Sequence, residues 1–368
     1  MARRTIDYPL LVVTMILVMF GILMVFSASY YYAENSKNTD YDAFYYFWKQ
    51  ISGAVMGLVA MIAGMLFDYN KYKKLRFIIL GIGILLMLLV FVPGIGIERN
   101  GSRRWVNLYF LDLQSIEVLK FAIVIFMAAG ISSNHEKMRQ FKYGMAPYLV
   151  LLMIAAALLY FQPNFSAVVT LALLMFVMML VGGANLVHFG IMGSIGIGGG
   201  AIAMIATEYR MDRIFAYLDP WKYADNQSYQ LIQSLYSIGS GGFFGLGLGN
   251  SRQKYLYLPY SESDCIFAII VEELGYFGGL LLLITFGVLI WRGVRIALRA
   301  PNMFGTMIAT GITALIAIQV FINIGVVVGL VPPTGVVLPF ISAGRTSLIM
   351  YMGCIGVLLN ISKQTHAA

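Results

Sequence analysis

Charge is the scarcest property of this sequence. Asp, Glu, Lys and Arg make up 11% of its 368 residues, against roughly 25% in a soluble domain. The shortage excludes a soluble enzyme, a disordered regulator and a nucleic-acid binder with a basic polar face. Cysteine is nearly absent, and Cys265 and Cys354 both fall in apolar stretches that allow no disulfide framework. The three histidines are scattered and, with the cysteines, make no metal-ligand spacing. No cleavage-site pattern follows the first apolar run, 10–28, so it reads as a membrane span and not as a signal peptide. No convincing internal repeat is present, which leaves an inverted-repeat transporter without support.

What the sequence has instead is apolar length, with 60% hydrophobic residues. A helix needs about 20 apolar residues to cross the hydrocarbon core. Runs at 10–28, 51–67, 77–92, 115–131, 146–161, 265–290, 303–328 and 346–362 each suit one crossing. The stretch 165–207 has no Asp, Glu, Lys or Arg and suits two, divided at Gly182-Gly183-Ala184-Asn185. The expectation is an all-α polytopic membrane protein of ten spans, one integral domain over 1–368. An even count puts both termini on one side. Short basic segments (Arg3 and Arg4; Lys71, Lys73, Lys74 and Arg76; Lys137, Arg139 and Lys142; Arg292, Arg295 and Arg299; Lys363) make that side the cytoplasm. The excess of 25 Lys and Arg over 17 Asp and Glu reads as topology signal and attraction to anionic lipid, with no nucleic-acid partner. All the elaborate loops then lie outside: 29–47, 93–114, 329–345, and a large one at about 209–264 between the seventh and eighth spans. Function is expected on that outer face.

Ionisable groups at the membrane mark candidate sites. Glu117 and Lys120 share a helix face at i, i+3, either as a plain ion pair between helices or as a polar pocket for a charged headgroup or cation. Asp264 sits at the mouth of the eighth span before Cys265-Ile266-Phe267-Ala268, where partial desolvation favours a general base and an N-cap role is equally open. For Glu272 and Glu273 a buried structural role is the stronger reading. Arg103 and Arg104 beside Trp105 suit an interfacial phosphate site, although Trp105 also fits an aromatic-belt anchor. The large loop carries Arg210, Arg213, Lys222, Arg252 and Lys254 around a glycine-rich run, 239–249. That run suits either a phosphate cradle or re-entrant backbone lining a cavity. Pro332-Pro333-Thr334-Gly335 and Pro339 to Arg345, with Ser342, are poor helix formers expected to line the same vestibule. Together these groups suit a substrate with a lipid tail and an anionic diphosphate, and they name no particular compound.

Several ordered motifs carry a resemblance. They include 20–29 in the first span, Gly101-Ser102-Arg103-Arg104-Trp105-Val106-Asn107-Leu108, Gln162-Pro163-Asn164-Phe165, 233–242, and 247–259 leading into Ser263-Asp264-Cys265 and Glu272-Glu273-Leu274-Gly275. Across nearly its whole length the chain resembles the SEDS proteins (shape, elongation, division and sporulation), and the FtsW/SpoVE branch more than RodA. The resemblance implies peptidoglycan glycosyltransfer at the outer face of the bacterial cytoplasmic membrane. It implies lipid II as substrate and a class B penicillin-binding transpeptidase as partner. It makes Asp264 the candidate base, Glu117, Lys120, Arg103, Trp105, Arg213 and Lys254 the pocket lining, and a divalent cation such as Mg or Mn a candidate on the departing diphosphate. Departures are Tyr260-Ser261-Glu262-Ser263 in place of the family's proline and glutamate, Gln114-Ser115-Ile116-Glu117 for Gln-Pro-Ser-Glu, and Asn164 for Asp. Ser342-Ala343-Gly344-Arg345 replaces Ser-Tyr-Gly-Gly, so Arg345 adds a charge beside the expected sugar or diphosphate path. A lipid II flippase and a non-catalytic scaffold for the transpeptidase are the competing readings.

Overall fold

The computed structural model describes residues 6–99, 102–108, 112–191, 193–194, 215–224 and 228–365. Its principal helices are α1 (Tyr8–Glu34), α2 (Tyr45–Leu66), α3 (Asn70–Leu89), α4 (Ser115–Ser133), α5 (Ala146–Phe161) and α6 (Phe165–Val181). They continue with α7 (Tyr229–Gly241), α8 (Ile266–Arg299), α9 (Met303–Val327) and α10 (Arg345–Gln364). Six of them (α1, α2, α4, α8, α9 and α10) are long and apolar enough to cross a membrane. The apolar α5 and α6 are shorter, at 16 and 17 residues, and α3 opens on Lys71, Lys73, Lys74 and Arg76. Much of the expected seventh span lies outside the described residues, as does Arg213.

Local chemistry sets the helix ends. The Asp7 carboxylate caps α1 by accepting from the Leu10 N–H at 3.0 Å. Arg292 of α8 grips the same carboxylate in a bidentate pair, with Nη2 2.6 Å from Oδ2. Asn302 caps α9 through the Gly305 N–H at 2.8 Å. Helices α4, α9 and α10 form the enclosed centre, and the outer helices turn large apolar side chains such as Leu66, Phe77 and Leu298 outward. An apolar belt of that extent has no water-facing explanation and suits lipid.

The chain is not all helix. The segment after α3 folds into an antiparallel sheet in the order β1 (Gly96–Arg99), β2 (Ser102–Asn107), β3 (Asp112–Gln114). Alternation around Trp105 and Val106 supplies the strand pattern that the all-α expectation passed over. Val106 is fully buried. The sheet is tied to the start of α10, because the Thr346 hydroxyl donates to the Asp112 carbonyl and accepts from the Gln114 N–H.

The glycine-rich run is structural backbone. Helix α8 breaks at Gly275, whose φ of 73° is in the left-handed region. The break frees peptide groups, and the run after α7 inserts against them. Leu246 and Gly247 donate to the carbonyls of Glu272 and Glu273 at 2.9 and 3.0 Å, while Tyr276 and Phe277 donate to those of Gly242 and Phe243 at 2.9 and 3.2 Å. Of the two readings open for the run, this pairing supports re-entrant backbone over a phosphate cradle, since the N–H groups of Leu246 and Gly247 are already used. The insertion lies about 15 Å down α8 from its first residue, at 1.5 Å per residue, so α7 and the run form a re-entrant limb. A Cβ at Gly275 would meet the Phe243 backbone. Gly275→Ala is therefore expected to cost roughly 2–4 kcal/mol from the positive φ and the crowding, read as a lowered unfolding temperature of the purified protein in detergent.

Candidate functional site

Two segments that are poor helix formers, 258–264 and 332–343, converge at the sheet end of the bundle. Residues 258–264 precede α8, and Tyr260, at φ 55°, makes the turn. Its carbonyl accepts from the N–H groups of Ser263 and Cys265 at 3.0 and 3.2 Å. Asp264 follows this turn and lies outside the helix. Cys265 occupies the N-cap position of α8, with no side-chain cap bond, so the capping reading of Asp264 falls away.

Side chains from other elements hold this segment. Asn323 of α9 donates to the carbonyls of Asp264 and Val336 at 2.9 and 2.7 Å. The Ser342 hydroxyl donates to the Ser263 carbonyl at 2.6 Å and accepts from the Leu338 N–H at 2.8 Å. The Ala343 N–H donates to the Glu262 carbonyl at 2.9 Å. Residues 332–343 are thus stitched across 261–264, close enough that a Cβ at Gly335 would lie 3.2 Å from Asp264 Oδ2. Ser342 acts here as a buried brace. Asn323 was missed in the sequence; its signal was an amide, shared with Gln319, in a largely apolar run.

The electrostatics centre on Asp264. Burial raises its pKa to about 7, the neighbouring Glu262 carboxylate adds to the rise, and the Arg104 guanidinium opposes it. Burial also raises Glu262, against donation from its own backbone N–H and from Ser261. Arg104, not Arg103, is the arginine that faces Asp264. Its Nε donates to the Gln162 carbonyl at 3.3 Å and its Nη2 to the Pro163 carbonyl. Burial lowers its pKa and Asp264 offsets the drop. The pleat of β2 separates the two arginines: Arg104 shares the inward face with Val106, whereas Arg103 is exposed and pairs with Glu98 at 3.1 Å. Trp105 stands between Ile97 and Gln114 in the sheet.

The remaining expected residues disperse. Glu117 and Lys120 form a buried 2.7 Å ion pair within α4. Arg345 opens α10 against Gly53 of α2, and its buried Nε has no hydrogen-bond partner. Lys254 does not join Asp264. Its ammonium donates to Glu273 Oε1 at 3.1 Å and to the Gly249 carbonyl at 2.6 Å, with the Ser27 hydroxyl at 3.4 Å. This correction has a simple cause: Glu273 is fully buried and needs a counter-charge. Glu272 accepts from Ser237, Ser251 and the Arg252 N–H at 2.8, 2.6 and 2.9 Å. Both glutamates are therefore structural. Among the described residues no three His, Cys, Asp or Glu side chains converge to hold a metal, and Glu262 is the one carboxylate felt by Asp264. Asp264 and Glu262 together offer at most two carboxylates, a set that would suit only an ion held mainly by substrate phosphates.

The sequence matches the FtsW/RodA/SpoVE family, described as cell cycle proteins, over residues 8–367. It is 41% identical to stage V sporulation protein E of Bacillus subtilis (strain 168) over 360 residues, 98% of each chain. It is 36% identical over 368 residues, the whole of both chains, to the probable peptidoglycan glycosyltransferase FtsW of Geobacter sp. (strain M18). In fold it matches the rod shape determining protein RodA of Thermus thermophilus, with a TM-score of 0.69 at 22% identity over 99% of this chain and 98% of that one. It also matches a chain from the structure of a peptidoglycan synthase complex that coordinates polymerization and crosslinking, with a TM-score of 0.79 at 24% identity over 97% of both chains.

The assignment of Lys254 is testable by a double-mutant cycle. Lys254→Met strands a buried carboxylate and is expected to destabilise the protein by roughly 3–5 kcal/mol, most of which the added Glu273→Gln change restores. Thermal unfolding in detergent measures both; equal losses in the single and double variants would contradict the pairing.

Proposed function

The chain belongs to the FtsW/RodA/SpoVE family of cell cycle proteins, and on that premise we propose that it is a peptidoglycan glycosyltransferase polymerising lipid II. The observation that carries the reading is Asp264, held outside the helix with a pKa near 7. A general base works best when its pKa lies near the operating pH. In the proposed step, Asp264 takes the proton of the acceptor sugar hydroxyl as that oxygen attacks the anomeric carbon of the lipid-linked donor. The bond from that carbon to the diphosphate oxygen breaks, its electron pair leaves with undecaprenyl diphosphate, and attack from the opposite face inverts the centre.

Arg104, the cation felt by Asp264, is proposed to steady the departing diphosphate, since its fork suits phosphate oxygens. Arg345, whose buried Nε has no hydrogen-bond partner, and Arg213, outside the described residues, are proposed as further cations for the diphosphate. Glu117, Lys120, Trp105 and Arg103 are proposed as more distant substrate contacts, while Ser342 braces the Asp264 segment and Lys254 acts only through its pair with Glu273. The proposed topology has ten spans, both termini in the cytoplasm and the 209–264 segment outside, in the bacterial cytoplasmic membrane. A class B penicillin-binding transpeptidase is the proposed partner, in keeping with the fold shared with the synthase-complex chain. A flippase reading is weaker, because the intramembrane carboxylates Glu272 and Glu273 are already committed to Ser27, Ser237, Ser251 and Lys254.

The test is polymerisation of purified lipid II by the protein with its transpeptidase. Asp264→Asn is expected to lower turnover by about 10²–10⁴-fold while complex formation persists; undiminished turnover would sink the assignment. Activity should rise with pH through an acid limb near 7, as the base loses its proton. Arg104→Gln removes a charge that lowers the Asp264 pKa, so its limb should move to higher pH. Glu262→Gln removes one that raises it, so its limb should move lower.

A further inference from the structure

Helix α4 starts at the sheet and ends about 27 Å away at 1.5 Å per residue. At that far end, between α3, α4 and α5, lies a cavity of about 300 Å³ that takes no part in the site described above. Its walls combine cations with aromatic rings. Arg76 of α3 and Lys142, from the turn before α5, reach it, together with the Asn134 amide. Phe77 and Phe126 close the lipid-facing side, with ring centroids 5.7 Å apart and edge to face. The Arg76 guanidinium lies 4.8 Å from the Phe77 ring centre.

The charge around this cavity is unbalanced. Residues 69–97 and 137–207 contain no Asp or Glu, and seven Lys or Arg residues (Lys71, Lys73, Lys74, Arg76, Lys137, Arg139 and Lys142) cluster at this end of α3 and α4. Of the two acids nearby in sequence, Asp68 is taken up by hydrogen bonds from Asn70 and Gln364, and Glu136 is exposed. Neither Arg76 nor Lys142 forms an ion pair among the described residues. A planar fork and a point charge facing one hollow match a phosphate oxygen set. Free phosphate would use those cations alone. A 64% exposed Phe77 on the bilayer side of the same hollow also supplies an apolar lane, which only a ligand with an acyl chain would use.

We propose that this cavity binds the phosphodiester headgroup of an anionic phospholipid, with Arg76 and Lys142 on the phosphate and an acyl chain along Phe77 and Phe126. The site lies at the end of α4 away from the sheet, so it would anchor the α3–α4–α5 corner without touching the reacting groups. Basic hollows between membrane helices are suited to such headgroups.

The test is native mass spectrometry of the full chain in detergent, titrated with phosphatidylglycerol or phosphatidylcholine. Wild type is expected to retain one phosphatidylglycerol at least tenfold more tightly than phosphatidylcholine. Arg76→Gln with Lys142→Gln should weaken retention about 25-fold, at roughly fivefold per surface charge. Lys74→Gln, outside the cavity, should leave it within about twofold. Equal retention of the two lipids, or unchanged retention by the double variant, overturns the proposal. Displacement of the lipid by millimolar inorganic phosphate would assign the hollow to a free anion and overturn it too. Should the double variant not fold, Lys142→Gln alone removes an exposed side chain with no hydrogen bond and is expected to lose about fivefold; no loss overturns the proposal.

Discussion

Two adjacent carboxylates buried inside a membrane protein constrain much of what surrounds them. Glu272 and Glu273 have no solvent exposure, and an uncompensated charge there would cost several kcal/mol. Each is satisfied differently. Glu273 takes the Lys254 ammonium and the Ser27 hydroxyl, and Glu272 takes two hydroxyls and the Arg252 N–H. Every one of those donors except Ser27 comes from α7 or the segment that follows it. Satisfying the glutamates therefore pulls 249–254 against α8, which leaves 258–264 as a short bridge to the helix start.

The break at Gly275 completes that arrangement. A straight α8 would keep its carbonyls to itself and leave the glycine-rich run without partners. With the break, four backbone hydrogen bonds join the run to the helix across the gap. Re-entrant backbone at membrane depth is tolerated because it is enclosed in protein and paired. The rigidity passes to Asp264, which is held by Asn323 through its carbonyl and hemmed by the 332–343 segment. Its carboxylate is left as the group free to change charge, between one anion and one cation.

The two ends of the molecule show opposite electrostatic designs. Near Asp264, Glu262 and Arg104 pull the carboxylate in opposite directions, which suits a proton acceptor. At the far end of α4 the cations stand without acidic partners, which suits a fixed anion. Both arrangements are stable because the central helices between them are apolar and closely enclosed.

The membrane class and most of the helices were legible in the sequence, and Asp264 stood out there as a candidate, because long uncharged runs have one physical use and a carboxylate beside them is costly. The buried roles of Glu272 and Glu273 were legible for the same reason. What composition and spacing left open was partnership. Lys254 stood among loop cations, yet it lies 19 positions from the glutamate it neutralises. Arg103 and Arg104 are neighbours in sequence, and only the strand pleat sends one to solvent and the other toward Asp264. The glycine run read equally as a cradle or as re-entrant backbone until the break at Gly275 supplied it with carbonyl partners. Local pattern determined which segments enter the bilayer, since burial of apolar surface depends on the segment itself. The tertiary structure decided which polar groups meet, since each hydrogen bond and ion pair depends on a partner that the chain supplies from elsewhere.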